Sequence, residues 1–176
     1  MPLVIRPAVP ADAAALAAVA AVTFPLACPP HTSDEAKADF IATNLTESSF
    51  AGYIDDLDRA VFLAEVDGEP AGYTMLVFGE PHDEDVAAAI TRRPTVELSK
   101  VYVLAGHHGT GVSSALMETS LSEARARGAA GIWLGVNEEN TRANRFYEKS
   151  GFARVGTKKF LVGERWEDDF VRERAL

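Results

Sequence analysis

Apolar and polar residues alternate along the chain with two periods that predict an α/β fold. A period of two is typical of half-buried strands, whereas apolar residues at positions i, i+3 and i+4 are typical of amphipathic helices. In the second half of the chain the pattern predicts a strand over 96–103, a helix from Val112 to Gly128, a buried strand over 131–137, and a helix that begins at Asn140 or Thr141 and ends at 149–151. Asparagine and threonine are both good helix caps, so either can begin that last helix.

The first half and the two ends of the chain contribute further strands and helices. The pattern there predicts strands over 3–6, 61–66, 71–78, 155–162 and 170–174, a helix over 11–22, helical or mixed segments over 36–50 and 53–57, and a loop over 163–169. Asp67-Gly68 stands between two of these strands, and an Asp-Gly pair in that place is a strong hairpin signal. Residues 79–94 are polar and predict a long loop with some helix at 86–90, of the kind that often lines a site.

This order of elements predicts a single α/β domain over residues 1–176, with a mixed central sheet of about seven strands and helices on both faces. The length suffices for one core, because a domain of about 150 residues buries roughly 68–70% of its unfolded surface. The sequence contains no internal repeat and no linker that would divide it.

A glycine-rich turn, with Gly109 and Gly111, separates the predicted central strand from the helix after it. The first N–H groups of a helix are unpaired and favour an anion, and glycine lets phosphate oxygens approach the backbone. The turn is not a Walker loop, because Val112-Ser113 follows Gly111 in place of Lys-Ser/Thr, and it lacks the third glycine of a dinucleotide fingerprint. A phosphate-binding loop and an ordinary turn that opens a helix remain the two alternatives.

Residues 97–152 resemble the GNAT superfamily of N-acetyltransferases in their order of strand, glycine loop, helix, strand and short helix ending in Phe146-Tyr147. The loop of that family is commonly Gln/Arg-x-x-Gly-x-Gly/Ala, and His108, Gly111 and Ser113 stand at these positions. Ser113 is small enough for close approach, and the charge of His108 depends on pH. The resemblance implies acetyl-CoA as co-substrate, held by Val101, Tyr102, Val103, His108, Gly109, Thr110, Gly111, Val112, Ser113, Ser114, Asn140 and Ala143.

The resemblance also implies roles for particular side chains. Asn140 would contact the pantetheine arm, Ala143 would allow close approach, and Tyr147 would protonate the departing thiolate; alternatively, Tyr147 is a half-buried packing residue. Glu97 would act as general base on an incoming ammonium, usually through water; alternatively, it is a solvated strand carboxylate. In that fold the fourth and fifth strands splay apart and the cofactor lies in the gap.

The tail of the chain, with Phe160–Gly163 followed by Asp168–Phe170, is also similar to PaiA-type polyamine acetyltransferases. This implies a polyamine or another small cationic amine as the acceptor. We expect a primary amine to attack the thioester directly in a ternary complex. Two alternatives remain open. One is a non-catalytic acyl-CoA-binding regulatory domain, which the presence of Tyr147 disfavours; the other is an acetyltransferase acting on protein N-termini or lysines.

The charge and composition narrow the range of partners. A net charge of −9 disfavours nucleic acid and favours a cationic substrate. Cys28 is the single cysteine, so no intrachain disulfide can form, and we expect a structural thiol. The apolar stretch over 11–22 is too short to span a membrane. We therefore expect a soluble cytoplasmic protein, a monomer or homodimer, with no metal and no membrane partner.

Overall fold

The computed structural model describes residues 2–176 as one sheet flanked by helices. The strands are β1 (Leu3–Pro7), β2 (Arg59–Val66), β3 (Glu69–Phe78), β4 (Thr95–Val103), β5 (Gly131–Asn137), β6 (Ala153–Val162) and β7 (Arg165–Ala175). The helices are α1 (Ala13–Ala27), α2 (Asp34–Asn44), α3 (Glu47–Asp55), α4 (Glu84–Ala89), α5 (Val112–Ala126) and α6 (Thr141–Lys149). The strand order β1-β2-β3-β4-β5-β7-β6 confirms the predicted mixed sheet of seven strands.

Strands β4 and β5 form the parallel pair at the centre of the sheet, and their pairing is short. Only Thr95–Glu97 pairs with Gly131–Trp133, whereas β4 runs on to Val103 and β5 to Asn137. The strands therefore diverge after Glu97 and leave a gap in the middle of the sheet, which confirms the splay that the family resemblance implies.

A β-bulge interrupts β4 just inside this gap. Met75 of β3 pairs with Lys100 and Leu76 pairs with Leu98, so Ser99 is one extra residue in β4. Because side chains alternate between the two faces of a strand, one extra residue reverses the alternation. As a result Leu98 and Val101 pack into the same apolar cluster.

Two apolar layers cover the two faces of the sheet. On one face, α5 packs Leu116 and Leu121 against β2, β3 and β4. On the other face, α1 packs Leu16 and Phe24 against β3 and β4, and α3 packs against β2. A smaller cluster beneath α4 includes Trp133 of β5. Helices therefore lie on both faces, as the sequence predicts.

The predicted hairpin is confirmed, and several boundaries need correction. β2 and β3 join at Asp67 and Gly68, which have φ values of +54° and +82°. Three helices rather than two separate β1 from β2, because the segment over 36–57 divides into α2 and α3. The expected loop over 163–169 was wrong, since β7 begins at Arg165 and only Gly163-Glu164 forms the turn.

The first helix is longer than the sequence pattern predicts. α1 extends to Ala27 and continues a 3-10 turn over Pro10–Asp12, which makes an apolar helical segment of 18 residues. By length and composition alone such a segment could cross a membrane, so the argument from its shortness does not hold. In the structure, however, Leu16 and Phe24 of this segment are buried against the sheet.

Candidate active site

A cavity of about 690 Å³ opens at the gap between β4 and β5. One side is formed by β4, the glycine loop and α6; the other is formed by α1, α2 and the β6–β7 hairpin. The structure brings nearly all of the predicted site residues to its wall: Glu97, Val101, Tyr102, Val103, His108, Gly109, Gly111, Ser113, Ser114, Asn140, Ala143 and Tyr147.

Thr110 and Val112 are the predicted site residues that do not line the cavity. The Thr110 hydroxyl donates a hydrogen bond to the carbonyl of His107 at 2.6 Å, which stabilises the loop. The Val112 side chain is buried in the core beneath α5. Any contact of these two residues with a ligand in the cavity would therefore be made by their backbone atoms.

The glycine loop meets α5 in a conformation that suits an anion. Gly109 and Gly111 have φ values of +76° and +91°, and a Cβ at either would meet no protein atom within 4 Å. Gly111 is the N-cap of α5 and offers no side-chain cap. Within residues 2–176 the N–H groups of Val112, Ser113 and Ser114 have no acceptor. These free donors and the helix dipole point at the same end of the cavity.

The end of β4 turns free backbone groups toward the gap. The N–H of Leu104 donates to the carbonyl of Ala71 at 2.9 Å, and in this register Val103 faces Gly72 and Val101 faces Thr74. Antiparallel pairs alternate between bonded and non-bonded residues, so the N–H and C=O groups of Val101 and Val103 point away from β3. The Val103 carbonyl indeed meets the Nε2 of His108 at 2.9 Å on that side. An extended ligand can therefore pair with β4 as an added strand would.

Tyr147 presents its phenol to the cavity from α6. Its ring makes an edge contact with Phe152, at 6.1 Å between ring centroids, and packs against the main core. The hydroxyl makes no hydrogen bond within residues 2–176, although it is not sealed from the cavity. Burial, with a smaller effect from nearby Tyr102, raises the pKa of Tyr147, so the phenol keeps its proton at neutral pH.

Two asparagines fix the start of α6 at the mouth of the gap. The side-chain oxygen of Asn140 accepts a hydrogen bond from the N–H of Ala143 at 3.2 Å, which is the predicted cap. Asn144 was not predicted; its amide donates to the carbonyl of Asn137, and its oxygen accepts from Arg172 of β7. Asn144 thus ties α6 to both neighbouring strands.

Glu97 lies at the point where β4 and β5 separate, on the face that α1 covers. No side chain or backbone donor within residues 2–176 bonds to its carboxylate, and no cation lies within 4 Å. Burial raises the pKa of Glu97, while Lys158 and Lys100 oppose that shift. Burial likewise lowers the pKa of Lys100 on the same strand. Glu97 is therefore neither fully solvated nor paired. A carboxylate whose pKa is tuned for proton transfer has surroundings of this kind.

The β6–β7 hairpin brings site residues that the sequence pattern did not predict. Lys158 and Asp169 face each other across the hairpin, with 3.6 Å between Nζ and Oδ2, and both line the cavity. They lie over Gly135 of β5, where any Cβ would collide with the Lys158 side chain. Burial raises the pKa of Asp169 to about 6 against the opposing effect of Lys158.

A second group of charges closes the outer end of the hairpin. His31, in the turn after α1, has its Nε2 2.7 Å from the carboxylate of Glu167, which lines the cavity. Arg165 lies 3.5 Å from the same carboxylate, and Glu139 lies 3.6 Å from the His31 ring. One nitrogen of His31 and one oxygen each of Glu139 and Glu167 lie within 4.8 Å of one another. These contacts fasten the α1–α2 turn to β7.

Comparison with known proteins agrees with this geometry. The model of the acetyltransferase (GNAT) family matches residues 25–152. The chain is 47% identical to an uncharacterized N-acetyltransferase of Mycobacterium tuberculosis over 165 residues, which is 94% of this chain and 98% of the relative. The structure of a PaiA N-acetyltransferase from Thermoplasma acidophilum, in complex with coenzyme A, is similar over the full length of both chains, with a TM-score of 0.80 and 19% identity.

A putative acetyltransferase of Salmonella typhimurium, solved with acetyl-CoA, is similar over 100% of this chain and 95% of its own, with a TM-score of 0.67 and 25% identity. The chain therefore belongs to the GNAT family of acetyl-CoA-dependent acyltransferases, and it is an N-acetyltransferase. This sets aside the alternative of a non-catalytic regulatory domain. Coenzyme A or acetyl-CoA bound in similar structures supports acetyl-CoA as the co-substrate.

Proposed function

We propose that the chain, as one domain, transfers the acetyl group of acetyl-CoA to a primary amine on a small molecule, by direct attack in a ternary complex. One observation carries this proposal. A single cavity contains free N–H groups at the start of α5, unpaired β4 backbone, the Tyr147 phenol and the unpaired carboxylate of Glu97. These are, respectively, an anion site, an amide-pairing edge, an acid and a base.

In this proposal the pyrophosphate lies at the N–H groups of Val112, Ser113 and Ser114, and the pantetheine arm pairs with the backbone of Val101. Glu97 takes a proton from the ammonium, directly or through water. The amine nitrogen then forms a bond to the carbonyl carbon, whose π electrons move to oxygen. The N–H of Val103 points into the gap and can stabilise that oxyanion.

Collapse of the intermediate re-forms the carbonyl and breaks the C–S bond. Tyr147 gives its proton to the departing thiolate. The nitrogen, now part of an amide, loses its second proton, which restores the phenol. One proton in total leaves to solvent. Every step uses groups of this chain, and we propose that none requires a metal. The compartment that we propose is the cytoplasm.

A thiol-release assay tests this function. The protein is mixed with acetyl-CoA and a panel of primary amines, free coenzyme A is followed with a thiol reagent, and the acetylated amine is identified by mass spectrometry. We expect thiol release to depend on the amine. If the protein binds acetyl-CoA but no amine causes release of coenzyme A, a small-molecule acceptor is contradicted. If coenzyme A is released only with peptides, the acceptor is a protein N-terminus or lysine.

A further inference from the structure

The half of the cavity that faces away from the glycine loop is walled by three phenylalanine rings. Phe24 of α1 and Phe40 of α2 are stacked, with 4.5 Å between centroids and 6° between planes. Phe160 of β6 meets Phe40 edge-on at 5.6 Å. All three rings line the cavity, and Phe40 and Phe160 are only half-buried. We call Phe24, Phe40 and Phe160 the aromatic wall.

Other apolar groups continue this surface. Pro29 and Leu26 line the same part of the cavity, and Leu26 is 66% exposed at its rim. When an apolar group covers exposed apolar surface in a cavity, water is released and binding is stabilised. The aromatic wall therefore offers a binding surface to an apolar part of the acceptor.

The number of unpaired carboxylates in the cavity limits the number of cationic groups that the cavity can bind. Asp169 has Lys158 at 3.6 Å, and Glu167 has His31 at 2.7 Å and Arg165 at 3.5 Å. Among the carboxylates that line the cavity, only Glu97 has no ion-pair partner within residues 2–176. A carboxylate in a desolvated site without a partner favours one cation.

A second cation would meet unfavourable surroundings. The Nζ of Lys158 lies 5.1 Å from the ring centroid of Phe160, between the aromatic wall and Asp169. A second ammonium in this part of the cavity meets Lys158 beside Asp169, and like charges repel in a poorly solvated site.

We infer that the acceptor is a monoamine with an aromatic group, whose ammonium pairs with Glu97 and whose ring lies on the aromatic wall of Phe24, Phe40 and Phe160. This inference rests on the proposed function and narrows its substrate. A polyamine, which the similarity of the tail to PaiA-type enzymes implies, is excluded by Lys158 and by the lack of a second free carboxylate.

Three amines of graded chemistry test the inference through kcat/KM in the thiol-release assay. 2-Phenylethylamine carries a ring, n-butylamine carries only a short alkyl chain, and 1,4-diaminobutane is n-butylamine with a second ammonium. Burial of a phenyl ring against a short chain is worth a factor of about ten or more. We expect kcat/KM to fall about tenfold from 2-phenylethylamine to n-butylamine, and about tenfold again to 1,4-diaminobutane.

Two pairs of variants show which residues cause these preferences. Phe160→Ala should reduce the preference for the aromatic amine to about twofold, whereas Leu161→Ala, at the exposed neighbour on the same strand, should leave it unchanged. Phe40→Leu gives a second, milder test of the wall. Lys158→Gln frees Asp169 and should bring 1,4-diaminobutane close to n-butylamine. Lys159→Gln, whose lysine pairs with Asp168 at the surface, should not.

The outcomes separate this inference from the proposed function. If 1,4-diaminobutane is turned over as fast as 2-phenylethylamine or faster, the inference of an aromatic monoamine as acceptor is wrong. The proposed function as an amine acetyltransferase then still stands. An aromatic preference that survives both Phe160→Ala and Phe40→Leu overturns the role of the wall. Acetyl-CoA binding without turnover of any of the three amines overturns the inference together with the small-molecule acceptor.

Discussion

The Nε2 of His108 lies 2.9 Å from the carbonyl oxygen of Val103, and this contact fastens the glycine loop to the end of β4. A carbonyl oxygen can only accept, so Nε2 carries the hydrogen and Nδ1 is the nitrogen left for other groups. A neutral His108 therefore offers an acceptor rather than a donor to a phosphate. The anion site that we propose at the loop therefore depends on backbone N–H groups. The arginine or glutamine common in the family is replaced by a histidine that holds the loop in place.

Gly111→Asp should weaken acetyl-CoA binding by about a hundredfold or more, because a carboxylate would stand where the helix dipole favours an anion. Isothermal titration calorimetry measures the effect. Gly128→Asp is the matched control, since Gly128 follows the other end of α5, has a φ of +84° and is equally open. It carries the same backbone strain without the ligand contact. Equal affinities in both folded variants would contradict the phosphate site.

Glu97→Gln should lower kcat/KM about a hundredfold near pH 7 and much less toward pH 10, where an amine of pKa about 10 is already partly neutral. Because the pKa of Glu97 is raised, the activity of the parent should begin to fall with decreasing pH at a pH that is still above the ordinary pKa range of glutamate. A pH–rate profile of kcat/KM measures both effects.

An acceptor that needs no base gives the control for Glu97. 2,2,2-Trifluoroethylamine is uncharged at neutral pH, so the variant and the parent should acetylate it at similar rates. A loss that is uniform across pH, or equal for both kinds of amine, would show that Glu97 acts on the structure of the site rather than on the proton.

Tyr147→Phe should reduce kcat by roughly 10²–10⁴-fold, the usual range for general acid catalysis, with acetyl-CoA affinity nearly intact. The ring and its contact with Phe152 remain, and only the proton donor is lost. Tyr53→Phe is the control, because its hydroxyl donates to the carbonyl of Asn44 outside the cavity. Unchanged turnover would make Tyr147 a packing residue and leave the thiolate to depart through water.

Asp169→Asn should change the pH dependence of stability in a defined direction. The folded state holds a proton on Asp169 up to about pH 6, whereas the unfolded chain loses it near pH 4. Between these values the folded state binds more protons, so this group lowers the free energy of unfolding as pH rises. The variant, relative to the parent, should therefore gain about 2 kcal/mol from pH 4 to pH 6.

Urea unfolding of both proteins at each pH measures that difference. Asp168→Asn is the matched control, because its carboxylate is half-exposed and pairs with Lys159 at the surface. A flat difference across this range for Asp169→Asn would mean that Asp169 is ionised in the folded protein down to its ordinary pKa.

Local patterns predicted the glycine-loop half of the cavity well. The Asp67-Gly68 turn, the glycines before α5 and the cap at Asn140 are each short-range signals, and the structure has an element boundary at each of them. Their interactions span only a few residues, so the sequence alone contains the information that determines them.

The acceptor half could not be predicted in the same way. The first part of β7 carries Glu167 and Asp169 where an apolar strand pattern would be expected, because it faces a polar cavity rather than a core. The aromatic wall joins α1, α2 and β6, which are far apart in the chain, and no local period relates Phe24, Phe40 and Phe160. Only the sheet order, with β7 inserted between β5 and β6, brings these groups together.

The extra residue at Ser99 means that β4 could lose one residue here without exchanging its two faces. Without Ser99, Leu98 and Lys100 would be consecutive, and they would still pair with the consecutive residues Leu76 and Met75. Lys100 to Val103 would keep their partners and their faces, and only the bulge would be lost. Because a bulge bends its strand and increases the local twist, Ser99 contributes to the divergence of β4 from β5 rather than to the pattern of side chains along the strand.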